Sequence, residues 1–97
     1  MADVVIVIPA FKPGPSLPDL VGALLDAGCQ AIVVVNDGSG PEFAASFQAL
    51  TASPCVHVVH HAINLGKGAA LKTGMNDALV RLRSGNARYR VVLDANY

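Results

Sequence analysis

Four short polar segments hold nearly all the side chains with chemistry to offer: Pro9-Ala10-Phe11-Lys12, Asn36-Asp37-Gly38-Ser39, Asn64-Leu65-Gly66-Lys67-Gly68 and Asp94-Ala95-Asn96. Gly66 and Gly68 let a backbone approach a ligand closely, and a helix starting there would offer free N–H groups to an anion. Lys67 between them adds a mobile positive charge, so the segment reads either as a diphosphate cradle or as the plain start of a helix. It is not a Walker loop, which needs Gly-Lys-Ser/Thr with an upstream glycine, and the third glycine of a GxGxxG fingerprint is missing. Asp37 can accept hydrogen bonds from a base or a ribose, or simply shape a turn with Asn36. Asp94 could hold a hard cation such as Mg2+ or Mn2+, or cap a turn. With only Asn96 beside it, that cation site is incomplete. Lys72 is open to a phosphate or base contact, or to solvent.

Three histidines, His57, His60 and His61, invite a metal reading. On a strand, however, His60 and His61 point to opposite faces, and no acidic or thiol partner sits at ligand spacing. They read as packing or strand-end residues. Cys29 and Cys55 match neither a metal knuckle nor a CxxC pair and read as small buried hydrophobes. No Ser-His-Asp or Cys-His arrangement emerges from order or spacing, so no catalytic residue is assigned.

The elements that must position these segments follow one rhythm. Val4-Val5-Ile6-Val7-Ile8 is a β-branched run of the kind buried on both faces of a sheet, and Pro9 stops it. After the Pro13-Gly14-Pro15 loop, Ser16 can cap a helix, with Pro18 and Asp19 in its first turn. Leu17, Leu20, Val21, Leu24 and Leu25 form its apolar stripe, and Gly28 ends it. A second strand, Ala31 to Val35, leads to a helix near Pro41-Glu42 carrying Phe43, Phe47 and Leu50. A third, Val56 to His60, leads to a helix with Leu71, Met75, Ala78, Leu79 and Leu82 on one face and Lys72 elsewhere. A fourth strand, Tyr89 to Leu93, delivers Asp94.

Doubly buried strands alternating with helices predict an α/β three-layer sandwich with a mainly parallel, Rossmann-like sheet. Ligands of such sheets sit beyond the carboxyl ends of the strands. All four polar segments follow strands, so they share one rim.

Composition narrows the function. The 97 residues carry seven Lys+Arg and seven Asp+Glu, which leaves no electrostatic footprint for nucleic acid or an anionic membrane. Apolar residues make up 53%, too many for disorder, yet no run nears the roughly 20 residues of a membrane-spanning helix. Met-Ala-Asp ahead of the first strand lacks the basic residues of a secretory signal, so a cytoplasmic setting with reduced thiols is expected. Only 14% of residues are charged, little for a self-contained surface. Either the chain is buried against something or part of a larger unit is missing.

Taken in order, Val-Ile-Pro-Ala-Phe, Val-Asn-Asp-Gly-Ser, Asn-Leu-Gly-Lys-Gly-Ala-Ala-Leu-Lys-Thr-Gly and Leu-Asp-Ala-Asn resemble family 2 glycosyltransferases. The third segment is most similar to the polyprenyl-phosphate mannose and glucose synthase branch. Each segment is common alone; the ordered set carries the resemblance, over Val4 to Asn96. It implies the GT-A fold, with residues 1–97 as the nucleotide-sugar-binding half and the acceptor-binding half absent. It also implies hexose transfer, with inversion, from a UDP- or GDP-linked sugar to a hydroxyl or lipid phosphate.

By the same resemblance Pro9, Ala10 and Phe11 line the base and ribose, Asp37 pairs with the base, and Gly66, Lys67 and Gly68 lie near the nucleotide. Lys72 takes the place of the family's basic residue on the third helix. The chain departs from the family at Lys12, where a Glu is usual nearby, and at Asn36, where the first acidic residue of the turn stands. It departs again at Asn96, in place of the last Asp of Asp-x-Asp. That last change leaves Asp94 as the metal ligand, so the Mg2+ or Mn2+ of the family is expected to be weak or absent. No residue matches the family's catalytic base, and catalysis by this chain alone is not expected.

Two readings of other classes stand beside it: a nucleotide-binding module without catalysis, and a structural domain that self-associates through the open edge of the fourth strand. A longer form could associate with a membrane. A nucleotidyltransferase is disfavoured because its glycine-rich first loop is lacking.

Overall fold

A computed structural model describes residues 4–82 and 90–93, the last four and residues 81–82 by their backbone alone. The chain alternates β1 (Val4–Ala10), α1 (Ser16–Asp26), β2 (Ile32–Asp37), a 3-10 turn (Pro41–Phe43) running into α2 (Ala44–Leu50), β3 (Val56–His61), α3 (Lys67–Leu82) and β4 (Arg90–Leu93). The four strands are all parallel, in the order β3-β2-β1-β4. β1 and β2 are therefore central, which is why their β-branched runs are buried on both faces.

Alternate residues face two separate cores. Ile6, Ile8, Ile32, Val34 and Val56 pack with Leu17 and Val21 of α1 and Phe47 and Leu50 of α2. Val5, Val7, Val33 and Val35 pack with Ala70 and Ala78 of α3. The result is the expected three-layer α/β sandwich, in keeping with a Rossmann-like half-domain. Among the described residues, no helix is long and apolar enough to cross a membrane.

Several boundaries differ from the sequence reading. β1 runs through Pro9 to Ala10, pairing with Val35 and Asn36. Ile6 donates its N–H toward β2, so by alternation the nitrogen of Pro9 faces the β4 side, beyond the last described rung there, Val7–Leu93. Its missing hydrogen costs no described ladder bond. β2 extends through Asn36 and Asp37 because β3 extends to His61 opposite them.

Ser16 does not cap α1. The N-cap is Pro15, without a side-chain bond, and a backbone turn from Leu17 N–H to the Gly14 carbonyl takes its place. Gly28 does end the helix: at φ 92° it lets its own N–H and that of Cys29 reach back to Leu25 and Leu24, a Schellman closure.

The main correction concerns α3. Its buried face is Ala70, Gly74 and Ala78, whereas Met75 and Leu79 of the expected apolar stripe are exposed, Leu71 is half-buried, and the side chain of Leu82 lies outside the described residues. A Cβ at Gly74 would overlap Val7 Cγ1 and crowd Val35 Cγ2 at 3.0 Å. Small residues let the helix backbone lie close on the sheet, and that closeness prevails over the larger side chains. Overpacking of about 1–3 kcal/mol in Gly74→Ala exceeds the gain of about 1 kcal/mol in helix propensity. A net loss of up to about 2 kcal/mol in thermal unfolding is expected.

Candidate functional site

The loops after β1, β2 and β3 meet at the carboxyl rim. Their meeting point is the end of β2, where Asn36 and Asp37 stand directly opposite His60 and His61. Side chains alternate, so Asn36 and His60 lie on the α1/α2 face and Asp37 and His61 on the α3 face. As expected, the two histidines point to opposite faces. His60 packs edge-on to Phe47, with ring centroids 6.2 Å apart, and His61 reaches Thr73 of α3.

Asp37 is 3% exposed and sits at the centre of a closed set of hydrogen bonds. Its Oδ1 accepts from the Leu65 N–H at 2.9 Å and from His61 Nδ1 at 2.8 Å. Its Oδ2 accepts from the Gly66 N–H at 3.0 Å and from Asn64 Nδ2 at 3.2 Å. Asn64 Nδ2 also donates to the Asp37 backbone carbonyl at 3.2 Å. Burial pushes this carboxyl's pKa up, but the bonds from Leu65, His61 and Gly66, with the charge of His61, outweigh it and hold the value below 3.8. An ionised carboxylate only accepts, which assigns the hydrogen to His61 Nδ1. His61 Nε2 lies 2.8 Å from the Thr73 hydroxyl oxygen.

The neighbouring positions tie in the other loop. Asn36 Oδ1 accepts from the Ser39 N–H, its Nδ2 donates to His60 Nδ1, and Ser39 Oγ accepts from the Lys12 N–H at 2.9 Å. Lys12 is the one described non-glycine residue in the left-handed region, at φ 46°, and its Nζ lies 5.3 Å from the centre of the Phe11 ring. Asn-Asp-Gly-Ser is thus a hub that stitches the β1 and β3 loops to β2.

The hub borders a cleft of about 260 Å³ lined by Pro9, Ala10, Phe11, Asp37, Asn64, Gly66 and Lys67. Pockets for whole small molecules run to roughly 300–1,000 Å³, so this one suits part of a ligand. A larger cavity of about 400 Å³ lies between the β1–α1 loop and α2, but its lining from Pro13 to Leu50 has Ser46 as its only polar side chain.

The structure thus gathers six of the sequence-derived candidates, Pro9, Ala10, Phe11, Asp37, Gly66 and Lys67, around one space. Gly68 follows Lys67 in the first turn of α3, and Lys72 is exposed farther along that helix, outside the cleft lining. Asp94 and Asn96 lie outside the described residues. Among the described residues no three His, Cys, Asp or Glu side chains are placed to hold a metal ion.

The family model for glycosyl transferase family 2 matches residues 5–95. The chain belongs to this family. No curated protein and no solved structure gave a match. Glycosyltransferases of family 2 act on nucleotide-sugar donors and acceptors, commonly with a divalent metal.

Sequence reasoning missed His61, Thr73, Asn64 and Ser39. The histidines have no acidic partner nearby in sequence. The partner is Asp37, 24 residues away and one strand over. Laying the carboxyl ends of the second and third strands side by side, Asn36-Asp37 against His60-His61, was the signal that could have found it.

Proposed function

We propose that this chain binds a nucleotide-diphosphate sugar at the rim cleft, as the donor-binding half of an inverting hexosyltransferase. The observation that carries the reading is convergence: residues from three separate strand ends line one cleft. Phe11, 42% exposed, offers its ring for stacking on a base, and Pro9 and Ala10 border the base and ribose. Lys67 and Gly68 supply positive charge and helix N–H groups to the diphosphate, with Lys72 as a second cation and Asp37 at the base of the cleft. Asp94, with Asn96 as its weak companion, would hold a Mg2+ or Mn2+ ion that neutralises the leaving diphosphate. The acceptor is a hydroxyl or a polyprenyl phosphate, the latter supported by the likeness of Asn64 to Gly74 to the polyprenyl-phosphate sugar synthases. Acceptor site and base come from residues other than those described.

Calorimetric titration with UDP, GDP and their hexose conjugates tests this. Saturable binding is expected, weakened in Phe11→Ala by the roughly 1–3 kcal/mol that base stacking contributes, about five- to 150-fold. Absence of heat with every nucleotide would overturn the reading. Transfer from a radiolabelled donor separates a transferase from a binding module.

A further inference from the structure

Two strands end the sheet, and the longer of them is unguarded. Among the described residues β3 has a neighbour on one side only, β2. The Ile32 N–H donates to the Cys55 carbonyl, so by alternation His57, Val59 and His61 turn their backbone N–H and C=O groups toward β2. Those of Val58 and His60 point outward and have no partner among the described residues. A row of free strand donors and acceptors is a template for another strand, and sheet edges are commonly blunted by lysine, proline or a bulge. β3 is six residues of Val and His with an unbroken register, and it has none of these.

Charge narrows what can pair there. From Phe43 to Gly66 the chain has no Lys, Arg, Asp or Glu for 24 residues, by far its longest uncharged stretch. That stretch is α2, β3 and the loops beside them, so the whole β3 flank is neutral. Ser46 and Ala49 of α2 line the cavity toward the β1–α1 loop. At about 100° per residue, Ala44 and Gln48, both exposed, then lie on the opposite side of α2, above the open edge. On the other face, the carboxylates that meet β3, Asp37 and Asp77, stand against His61 and His57 at 2.8 and 3.6 Å. A two-fold contact brings one patch against itself, so a flank of one charge sign repels its own copy. This flank carries no such charge, and none with which to select a foreign partner.

We propose that the β3 edge is a self-association surface: β3 strands of two copies pair antiparallel across a two-fold axis into one eight-stranded sheet, with α2 beside α2 over the junction. The sequence places self-association at the fourth strand instead. β4, however, is only four residues long and begins with Arg90. Antiparallel pairing sets the two rims at opposite ends of the joint sheet, so the contact is independent of nucleotide binding.

Sedimentation of the whole chain over a concentration series, with hydrogen exchange of its backbone amides, tests this. A dimer is expected, in which the Val58 and His60 amides exchange as slowly as those of His57 and Val59 and lose that protection on dilution. Val58→Pro removes an outward N–H and no bond to β2, so the fold should persist by circular dichroism while association weakens about tenfold or more. Val91→Pro is the matching change on β4, because the Val5–Val91 pairing turns the Val91 N–H outward too, and it should leave the dimer intact. A strict monomer at millimolar concentration overturns the inference. So does a dimer that exchanges freely at Val58 and His60, survives in folded Val58→Pro, or is dispersed in folded Val91→Pro. Should Val58→Pro fail to fold, the exchange pattern of the wild-type chain decides alone.

Discussion

Gly38→Ala is expected to cost about 2–5 kcal/mol of folding stability, from the strain of φ and from overpacking together. Gly38 adopts φ 67°, a conformation that costs a side-chain-bearing residue roughly 1–2 kcal/mol. The added methyl would also overlap the Asn64 nitrogen and the Ile63 carbonyl carbon. Those atoms belong to backbone, so no rotamer change can make room, and the β3–α3 loop has to move. A domain of this size has only about 5–15 kcal/mol in total. Urea denaturation should therefore show a lower midpoint at unchanged slope. A midpoint equal to wild type would mean that the two loops do not meet backbone to backbone.

Asp37→Asn should cost about 2–4 kcal/mol, because an amide supplies one oxygen where the native carboxylate supplies two and points N–H at donors. The exposed position of Leu65 and Asn64 keeps the figure at this level, since water can reach part of the loop. A pH signature accompanies it. The Asp37 carboxyl has its pKa lowered on folding, so the unfolded chain binds its proton more readily than the folded one. Its stabilisation is complete above the unfolded value of about 3.8 and is lost as pH falls through the lower, folded value. Urea midpoints measured from pH 6 down to pH 2.5 should fall less steeply in Asp37→Asn than in wild type. Parallel curves would remove Asp37 from the account of acid stability.

Much of the fold was legible because β-branched runs buried on both faces have one common solution, a parallel sheet between helices. The four strands, the two cores and the shared rim follow from it. α3 was misread because hydropathy ranks Leu71, Met75 and Leu79 above Ala70, Gly74 and Ala78. What decides its packing is how closely a backbone can approach Val7 and Val35, and residue size governs that. At the site, the residue types that touch the cleft were readable from the loops, since the rim of a parallel sheet collects them. The partners of Asp37 were not, because they depend on the pairing of β2 with β3, which single-chain spacing does not express. His61 looked like a strand-end residue until the neighbouring strand was laid against it.

That pairing has a consequence for misfolding. Two consecutive rungs, Asn36 with His60 and Asp37 with His61, end a ladder that is valine or isoleucine against valine at three of its other four rungs, the fourth being Val33 with His57. Valine runs are nearly degenerate under a shift, so they cannot tell one alignment from the next. The two polar rungs can. Slide β3 by one residue and its side chains exchange faces: Asp37 meets His60 or Ala62 in place of His61, and Val56, Val58 and Val59 change core as well. The polar end of the ladder therefore serves as a proofreading mark. It lets an almost featureless pair of strands settle into one alignment and leaves every slipped one without its bonds.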